Sequence, residues 1–278
     1  MSMRSRTHSK LTELQYIQRS EGSVWSNFNV WFQYQLKYIA PKFWAKSPLI
    51  RAVALVNLDE PYARDRNAIS RENLKMIEKI SEKYTEVFQG ISQIQFENWI
   101  TRNFILVNAF SDTGIDPLND SKYLVEIGPG LGAIISLGLE SQCQNVYAFD
   151  TYEMQSTFSA VTSKFPSDYS RLQYLTVNDL RNSKPFTSPK KETTVLAFWS
   201  FTEIKETERL DYFKLFEAAN TILIGSNEKF EGIENYLYIE EMARKLNMNY
   251  VWKNMGDVFN TELPKYQKKH RIYLLTKS

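Results

Sequence analysis

Three closely spaced glycines, Gly128, Gly130 and Gly132, follow a short apolar run that predicts a β-strand over Tyr123–Ile127. A turn this tight requires backbone conformations that only glycine adopts at little cost. The missing side chains also let a ligand lie against the backbone, near the N-terminus of the next helix. Glu126, two residues before the first glycine, adds a carboxylate at the strand end. These residues predict a ligand site where the strand meets the following helix.

The same glycines are compatible with two kinds of ligand. Gly128–Ala133 also satisfies the G-x-G-x-x-A pattern of dinucleotide sites. The Glu126 carboxylate suits a cationic ligand, whereas it would repel a pyrophosphate. The glycines also come after a long helical segment, while dinucleotide-binding folds more often open with theirs. Both features favour a positively charged nucleoside cofactor.

The run from Val125 to Gly132 resembles motif I of class I S-adenosylmethionine-dependent methyltransferases, E/D-x-G-x-G-x-G. The resemblance implies S-adenosyl-L-methionine as cofactor, with Glu126 near its methionine portion and Pro129 within the glycine loop. Asp150 stands 22 residues after Gly128, at the end of the second predicted strand. A carboxylate there can accept both ribose hydroxyls, in methyltransferases and in NAD-binding proteins alike. The alternative role for Asp150 is a helix N-cap.

Two further cofactor contacts are implied by the resemblance. Asp179, with Leu180 beside it, follows the third predicted strand, where the family contacts the adenine amine. An Asx-type turn is the alternative for Asp179. Trp199 ends the fourth predicted strand, where the family approaches the transferable methyl group.

The segment after the fourth strand also bears on the acceptor. It lacks the Asn/Asp-Pro-Pro-aromatic signature of DNA and protein amine methyltransferases and the magnesium-binding Asp of catechol-type enzymes. Ser200–Glu203 instead resembles the S-F-x-E block of sugar O-methyltransferases, and residues 150–155 are similar to the same family. This resemblance implies a small-molecule acceptor, a sugar or glycan precursor. The alternatives are an RNA or protein methyltransferase, and a non-catalytic protein that keeps the cofactor fold as a binding scaffold.

A hydroxyl acceptor must lose a proton, so we searched for a general base. Glu203, just past the fourth strand at a predicted helix start, is the first candidate; the alternative is a first-turn acid favoured by the helix dipole. His270, at the start of the last predicted strand, is the second candidate. Its alternative role is that of a surface histidine at a strand end. Glu228, after the fifth strand, is the third.

Strands alternating with helices predict a parallel sheet covered on both faces. The predicted fold is α/β: a Rossmann-like, seven-stranded, mostly parallel sheet with an antiparallel last strand, preceded by a helical segment. The predicted strands are Tyr123–Ile127, Asn145–Phe149, Tyr174–Val177, Thr194–Trp199, Thr221–Ile224, Tyr250–Lys253 and Arg271–Thr276. The predicted helices of this part are Ala133–Glu140, Tyr152–Lys164, Glu203–Ala218 and Ile233–Leu246, and residues 254–270 show no helical pattern.

Helical periodicity also covers the first part of the chain, with a stripe from Trp25 to Ile39 and helices over Glu72–Phe88 and Ile91–Phe110. We therefore divide the chain into a helical N-terminal segment (1–110), a turn-rich joint (111–121) and a cofactor-binding domain (122–278). The N-terminal segment is expected to cover the cofactor, to supply part of the acceptor pocket or to form a homodimer.

Composition restricts the functional classes to which the protein can belong. The formal net charge is +2, which gives no strong nucleic-acid signal, and one cysteine excludes a disulfide framework and a cysteine-rich zinc site. No apolar run is long enough to span a membrane and no secretory signal is present, so we expect a cytoplasmic protein. No metal site is expected.

Overall fold

The computed structural model describes residues 69–88, 90–150, 168–176, 179–180, 192–204, 206–230, 232–259 and 269–277, with residues 34–35, 38–39, 43 and 47. The helices are α1 (Arg71–Val87), α2 (Gln93–Val107), α3 (Ala133–Glu140), α4 (Glu206–Arg209), α5 (Phe213–Ala218), α6 (Asn235–Lys245) and α7 (Met255–Phe259). The strands are β1 (Tyr123–Ile127), β2 (Asn145–Phe149), β3 (Leu172–Leu175), β4 (Thr193–Phe198), β5 (Thr221–Ser226), β6 (Lys229–Phe230), β7 (Ile233–Glu234), β8 (Met248–Asn254) and β9 (Arg271–Lys277).

A seven-stranded sheet in the order β3-β2-β1-β4-β5-β9-β8 organises the fold. The first five of these strands are parallel, whereas β9 is antiparallel to both of its neighbours. Pairing of Ser226 with Arg271 places the start of β9 at the carboxyl end of β5. The predicted α/β fold class with its antiparallel last strand is confirmed.

The two faces of the sheet carry separate apolar cores. Helices α1, α2, α3 and α7 pack on one face, while α5 and α6 pack on the other. Helix α1 begins at the N-cap Ser70, whose hydroxyl accepts from the Asn73 amide, and α2 begins at a capping box of Ser92 and Gln95. Because α1 and α2 share the core of α3, the N-terminal helices lie directly behind the glycine loop.

The prediction of one continuous helix over Glu203–Ala218 was wrong. The chain instead forms a 3₁₀ turn at Phe201–Glu203, helix α4, a second 3₁₀ turn at Leu210–Tyr212 and helix α5. The buried guanidinium of Arg209 donates to the carbonyls of Thr202 and Ile204, which removes these groups from any regular helical ladder. Glu203 therefore lies in a turn rather than at a helix start.

Other boundaries also differ from the prediction. Strand β3 begins two residues early because Leu172 is buried beside Val146 of β2, and β4 ends at Phe198 because Trp199 leaves the strand conformation. Residues 233–234 pair with β6 instead of starting α6. The segment predicted to lack helix contains α7, whose Met255 and Phe259 are fully buried. The predicted Trp25–Ile39 stripe, except for a few positions, and the helix over 152–164 lie outside the described residues, as do Val177 and Asn178.

Candidate active site

The glycine loop has the backbone geometry that its sequence predicts. Gly128, Gly130 and Gly132 all have positive φ, at 70°, 56° and 80°. The Gly128 amide donates to the Phe149 carbonyl of β2 at 2.8 Å, and the Gly132 amide closes the turn onto Pro129 at 2.8 Å. A Cβ added to Gly128 would overlap Ser200, whereas one added to Gly130 would meet nothing within 4 Å. The loop is therefore packed against β4 at its first glycine and open at its second.

This contrast predicts different outcomes for two alanine variants. Gly128→Ala should lower the free energy of unfolding by about 3 kcal/mol, because left-handed strain and overpacking add. Gly130→Ala should lose only about 1 kcal/mol of stability, from the strain alone, yet place a methyl group where a ligand would approach the backbone. Urea unfolding and calorimetry with S-adenosylhomocysteine measure the two effects. Normal ligand affinity in a folded Gly130→Ala variant would contradict a ligand against this loop.

Glu126 is a buried carboxyl at the end of β1, only 5% exposed. It receives a hydrogen bond from the Ile135 backbone in the first turn of α3, while its Oε2 is buried and has no hydrogen-bond partner among the described residues. Burial, and secondarily the charge of Asp150, raise the pKa of Glu126 to about 8. An unsatisfied buried carboxylate oxygen is costly, so this position fits a cationic partner supplied by a ligand.

Asp150 follows β2, where the sequence places it, and lies half-buried at the carboxyl edge of the sheet. Its amide donates to the Leu175 carbonyl at the end of β3 at 3.3 Å. Its charge acts on Glu126, so the two predicted cofactor carboxyls are brought together at the ends of neighbouring strands.

Asp179 and Leu180 are helical residues that follow β3. The Asp179 carboxylate accepts from the backbone amide and the hydroxyl of Thr176, at 2.6 and 2.7 Å, and these bonds lower its pKa. The Asp179 amide donates in return to the Thr176 hydroxyl at 3.3 Å, so the two residues form a reciprocal capping box rather than the Asx-type turn considered as the alternative. Leu180 is buried among the apolar residues on the α6 side of the sheet. Contact of either side chain with adenine stays a prediction.

Trp199 and His270 form a pair at the carboxyl ends of β4 and β5. Trp199 has a φ of 64°, which is a strained conformation for a bulky residue, and such strain concentrates at functional sites. Its indole Nε1 donates to His270 Nδ1 at 3.1 Å, and Arg102 of α2 lies 5.6 Å from the Trp199 ring. Burial and the charge of Arg102 lower the pKa of His270. With Nδ1 accepting, the neutral ring carries its proton on Nε2, so His270 offers a donor rather than a base.

Glu203 retains the properties of a base candidate. Burial raises its pKa to about 7, which leaves the carboxyl close to half ionised at neutral pH. The carbonyls on either side of it, those of Thr202 and Ile204, accept from Arg209 at 2.6 and 2.9 Å. Arg209 also donates to Asn235 at 2.9 Å, and this bond connects the turn to the start of α6. Glu228, the third base candidate, instead pairs with Lys269 at the surface.

The structure adds supporting contacts that the sequence analysis did not predict. Tyr84 of α1 is fully buried and donates from its hydroxyl to the Leu131 carbonyl at 2.6 Å, behind the glycine loop. Ser200 donates to the Ile127 carbonyl and so joins the ends of β4 and β1. The only sequence signal for Tyr84 was its place in an apolar helical stripe, which predicts burial but not its partner.

Within the described ranges, no group of three or more His, Cys, Asp or Glu residues is arranged to hold a metal ion. Among those same residues, no helix is long and apolar enough to cross a membrane. A cavity of about 270 Å³ lies between α4, α5 and α6, lined by Glu206, Leu210, Phe213, Tyr238, Glu241, Met242 and Lys245. None of these residues belongs to the predicted site.

Several solved structures are similar to this chain. The methyltransferase domain of bacterial CtHen1 is 13% identical, with 61% of this chain and 97% of that chain covered and a TM-score of 0.47. An O-methyltransferase family protein from Burkholderia thailandensis is 10% identical over 88% of this chain and 71% of that one, with a TM-score of 0.43. A Haemonchus contortus phosphoethanolamine N-methyltransferase 2 in complex with S-adenosyl-L-methionine is 14% identical over 80% and 60%, with a TM-score of 0.44.

No protein-family profile matches the chain, and no curated protein is significantly similar to it. The similarities to solved structures concern the fold. The chain has a Rossmann-like α/β fold, as its strand order, glycine loop and antiparallel last strand show directly. What it does is inferred below from its own residues.

Proposed function

We propose that the chain is an S-adenosyl-L-methionine-dependent methyltransferase. The observation that carries this proposal is the buried Glu126 carboxyl beside a loop of three positive-φ glycines; its Oε2 bonds to no residue in the described part of the chain. A sulfonium cofactor with an ammonium group supplies the positive charge that this oxygen lacks, whereas a pyrophosphate would add a second negative charge. The residues present therefore fit the cofactor.

The protein's part in such a reaction is positioning and electrostatics, since the sulfonium group supplies the transferable methyl when bound. The open face of Gly130 allows close approach to the backbone. Asp150 would bind ribose hydroxyls at the end of β2, and Glu126 would stabilise the cationic portion behind the loop. Trp199 would line the path between the cofactor and the acceptor, held by its hydrogen bond to His270.

For the acceptor we propose a small molecule with a hydroxyl group, a sugar or glycan precursor. Glu203 supports this choice, because a carboxyl with a pKa of about 7 can take the hydroxyl proton at neutral pH. A screen with sugar nucleotides, RNA and peptides, with radiolabelled methyl transfer as the readout, separates the acceptor classes. Transfer to RNA or peptide alone would contradict the small-molecule proposal, and cofactor binding without any transfer would favour a scaffold.

Cofactor binding is expected to strengthen as pH rises, because the protonated form of Glu126 must ionise to meet a cation. A pKa of about 8 leaves roughly one-tenth of Glu126 ionised at pH 7, so affinity should rise about eightfold between pH 7 and 8.5. Calorimetry in buffers of different ionisation enthalpy should also show nearly one proton released at pH 7.

Glu126→Gln is the control, since Gln keeps the size of the side chain but does not titrate. The ligand's own amine titrates equally with both proteins, so the ratio of the two affinities isolates Glu126. Equal pH dependence in wild type and variant would show that Glu126 does not meet the ligand's charge.

A further inference from the structure

Arg271, the first residue of β9, packs against two aromatic rings. Its guanidinium carbon lies 3.9 Å from the centre of the Trp252 ring and 4.2 Å from that of Tyr236. Trp252 comes from β8 and Tyr236 from the first turn of α6, so two separate elements fix the guanidinium plane. Ring contacts of this kind engage the face of a guanidinium and leave its edges for hydrogen bonds.

One edge of that guanidinium remains available. Nη1 donates to the Tyr273 hydroxyl at 3.3 Å, whereas Nε and Nη2 donate to no described residue and are not among the buried unsatisfied atoms. Both nitrogens therefore keep some solvent-accessible surface. No carboxylate in the described part of the chain forms an ion pair with Arg271, and the nearby Glu228 is paired with Lys269 at 3.2 Å.

Arg271 lies at the same edge of the sheet as the glycine loop, because it pairs with Ser226 at the carboxyl end of β5. The strand order places β9 three strands from β1, a lateral distance of about 14 Å at normal strand spacing. Trp252 remains 41% exposed beside Arg271, which leaves apolar surface for a ligand. The arrangement combines a guanidinium fixed by two rings with two donors that bond to no described residue, at the sheet edge that carries the glycine loop.

We infer that Arg271, fixed by Trp252 and Tyr236, is a binding subsite for an oxyanion, a phosphate or carboxylate group. A planar guanidinium presents two parallel donors that match either group. The oxyanion belongs to the acceptor, at the end far from the methylated atom; this assignment to the acceptor rests on the proposed function, whereas the binding itself does not.

Nuclear magnetic resonance titration of the cofactor-free full chain with inorganic phosphate, and separately with acetate, tests the inference at constant ionic strength. The Arg271 Nε–H and Trp252 indole signals should shift saturably with at least one anion, with a dissociation constant on the order of 1–10 mM. Arg271→Gln should weaken this binding at least tenfold and Arg271→Lys should weaken it less, because Lys keeps the charge but not the fork. Arg244→Gln, which removes an exposed arginine of α6, should leave it unchanged.

Saturable binding that is equally strong in Arg271→Gln, or no saturable shift with either anion in the wild type, would overturn the inference. Calorimetry with S-adenosylhomocysteine on each variant reports separately on folding and on the proposed function. A wild type that binds the oxyanion but not S-adenosylhomocysteine would retain this subsite and contradict the proposed methyltransferase.

Discussion

A Glu203→Gln variant is expected to lose about 10²–10⁴-fold in methyl-transfer rate while binding S-adenosylhomocysteine as the wild type does. Gln keeps the size and polarity of the side chain but cannot take a proton. The turn that holds Glu203 should survive, because Arg209 binds the carbonyls of Thr202 and Ile204 rather than the Glu203 side chain. Single-turnover rates with an accepted substrate, together with calorimetry, measure the two quantities.

The pH profile makes this test specific. Because the pKa of Glu203 is raised to about 7 and the ionised form is the base, the wild-type rate should rise with pH up to about 7 and then level off. The variant should lose that ascending limb. Glu217→Gln, on the exposed side of α5, is the matched control and should behave as the wild type. A normal rate in Glu203→Gln would assign the residue to turn structure alone.

Asp150→Ala is expected to weaken S-adenosylhomocysteine binding ten- to hundredfold, because charge-assisted hydrogen bonds of about 1.5–3 kcal/mol would be lost. The charge of Asp150 also raises the pKa of Glu126, so the substitution should move the pH dependence of binding towards lower pH. Measurement above pH 8.5, where Glu126 is ionised in both proteins, isolates the direct contribution of Asp150.

The control for this variant is Asp112→Ala, which removes an exposed carboxylate whose partner is Lys253 at 2.7 Å. It should change neither folding nor ligand affinity. If Asp150→Ala folds normally and binds S-adenosylhomocysteine with wild-type affinity, Asp150 is a structural residue at the strand end.

Local patterns were sufficient to predict the elements that hold the glycine loop. Tyr123–Ile127 and Ala133–Glu140 have the predicted bounds, because a short apolar strand, three glycines and an apolar helix specify a strand–turn–helix unit without distant contacts. The antiparallel direction of β9 was also predictable, since the segment before it is too irregular for the long helical crossover of a parallel strand.

The contacts that support the site were not predictable in the same way. Arg209 breaks the expected helix through bonds to Thr202 and, across 26 residues, to Asn235, and no local pattern encodes such a partner. Tyr84 reaches the Leu131 carbonyl from 47 residues away, although its stripe indicated only a buried ring. The Trp199–His270 hydrogen bond likewise joins residues that only the sheet order brings together.

Calorimetry of the purified protein with S-adenosylhomocysteine and with NAD, under identical conditions, tests the central claim most directly. Both ligands carry a ribose that Asp150 could bind, but only NAD brings a pyrophosphate to the loop behind which Glu126 is buried. The account predicts saturable binding of S-adenosylhomocysteine and none of NAD. Binding of NAD without binding of S-adenosylhomocysteine would contradict it.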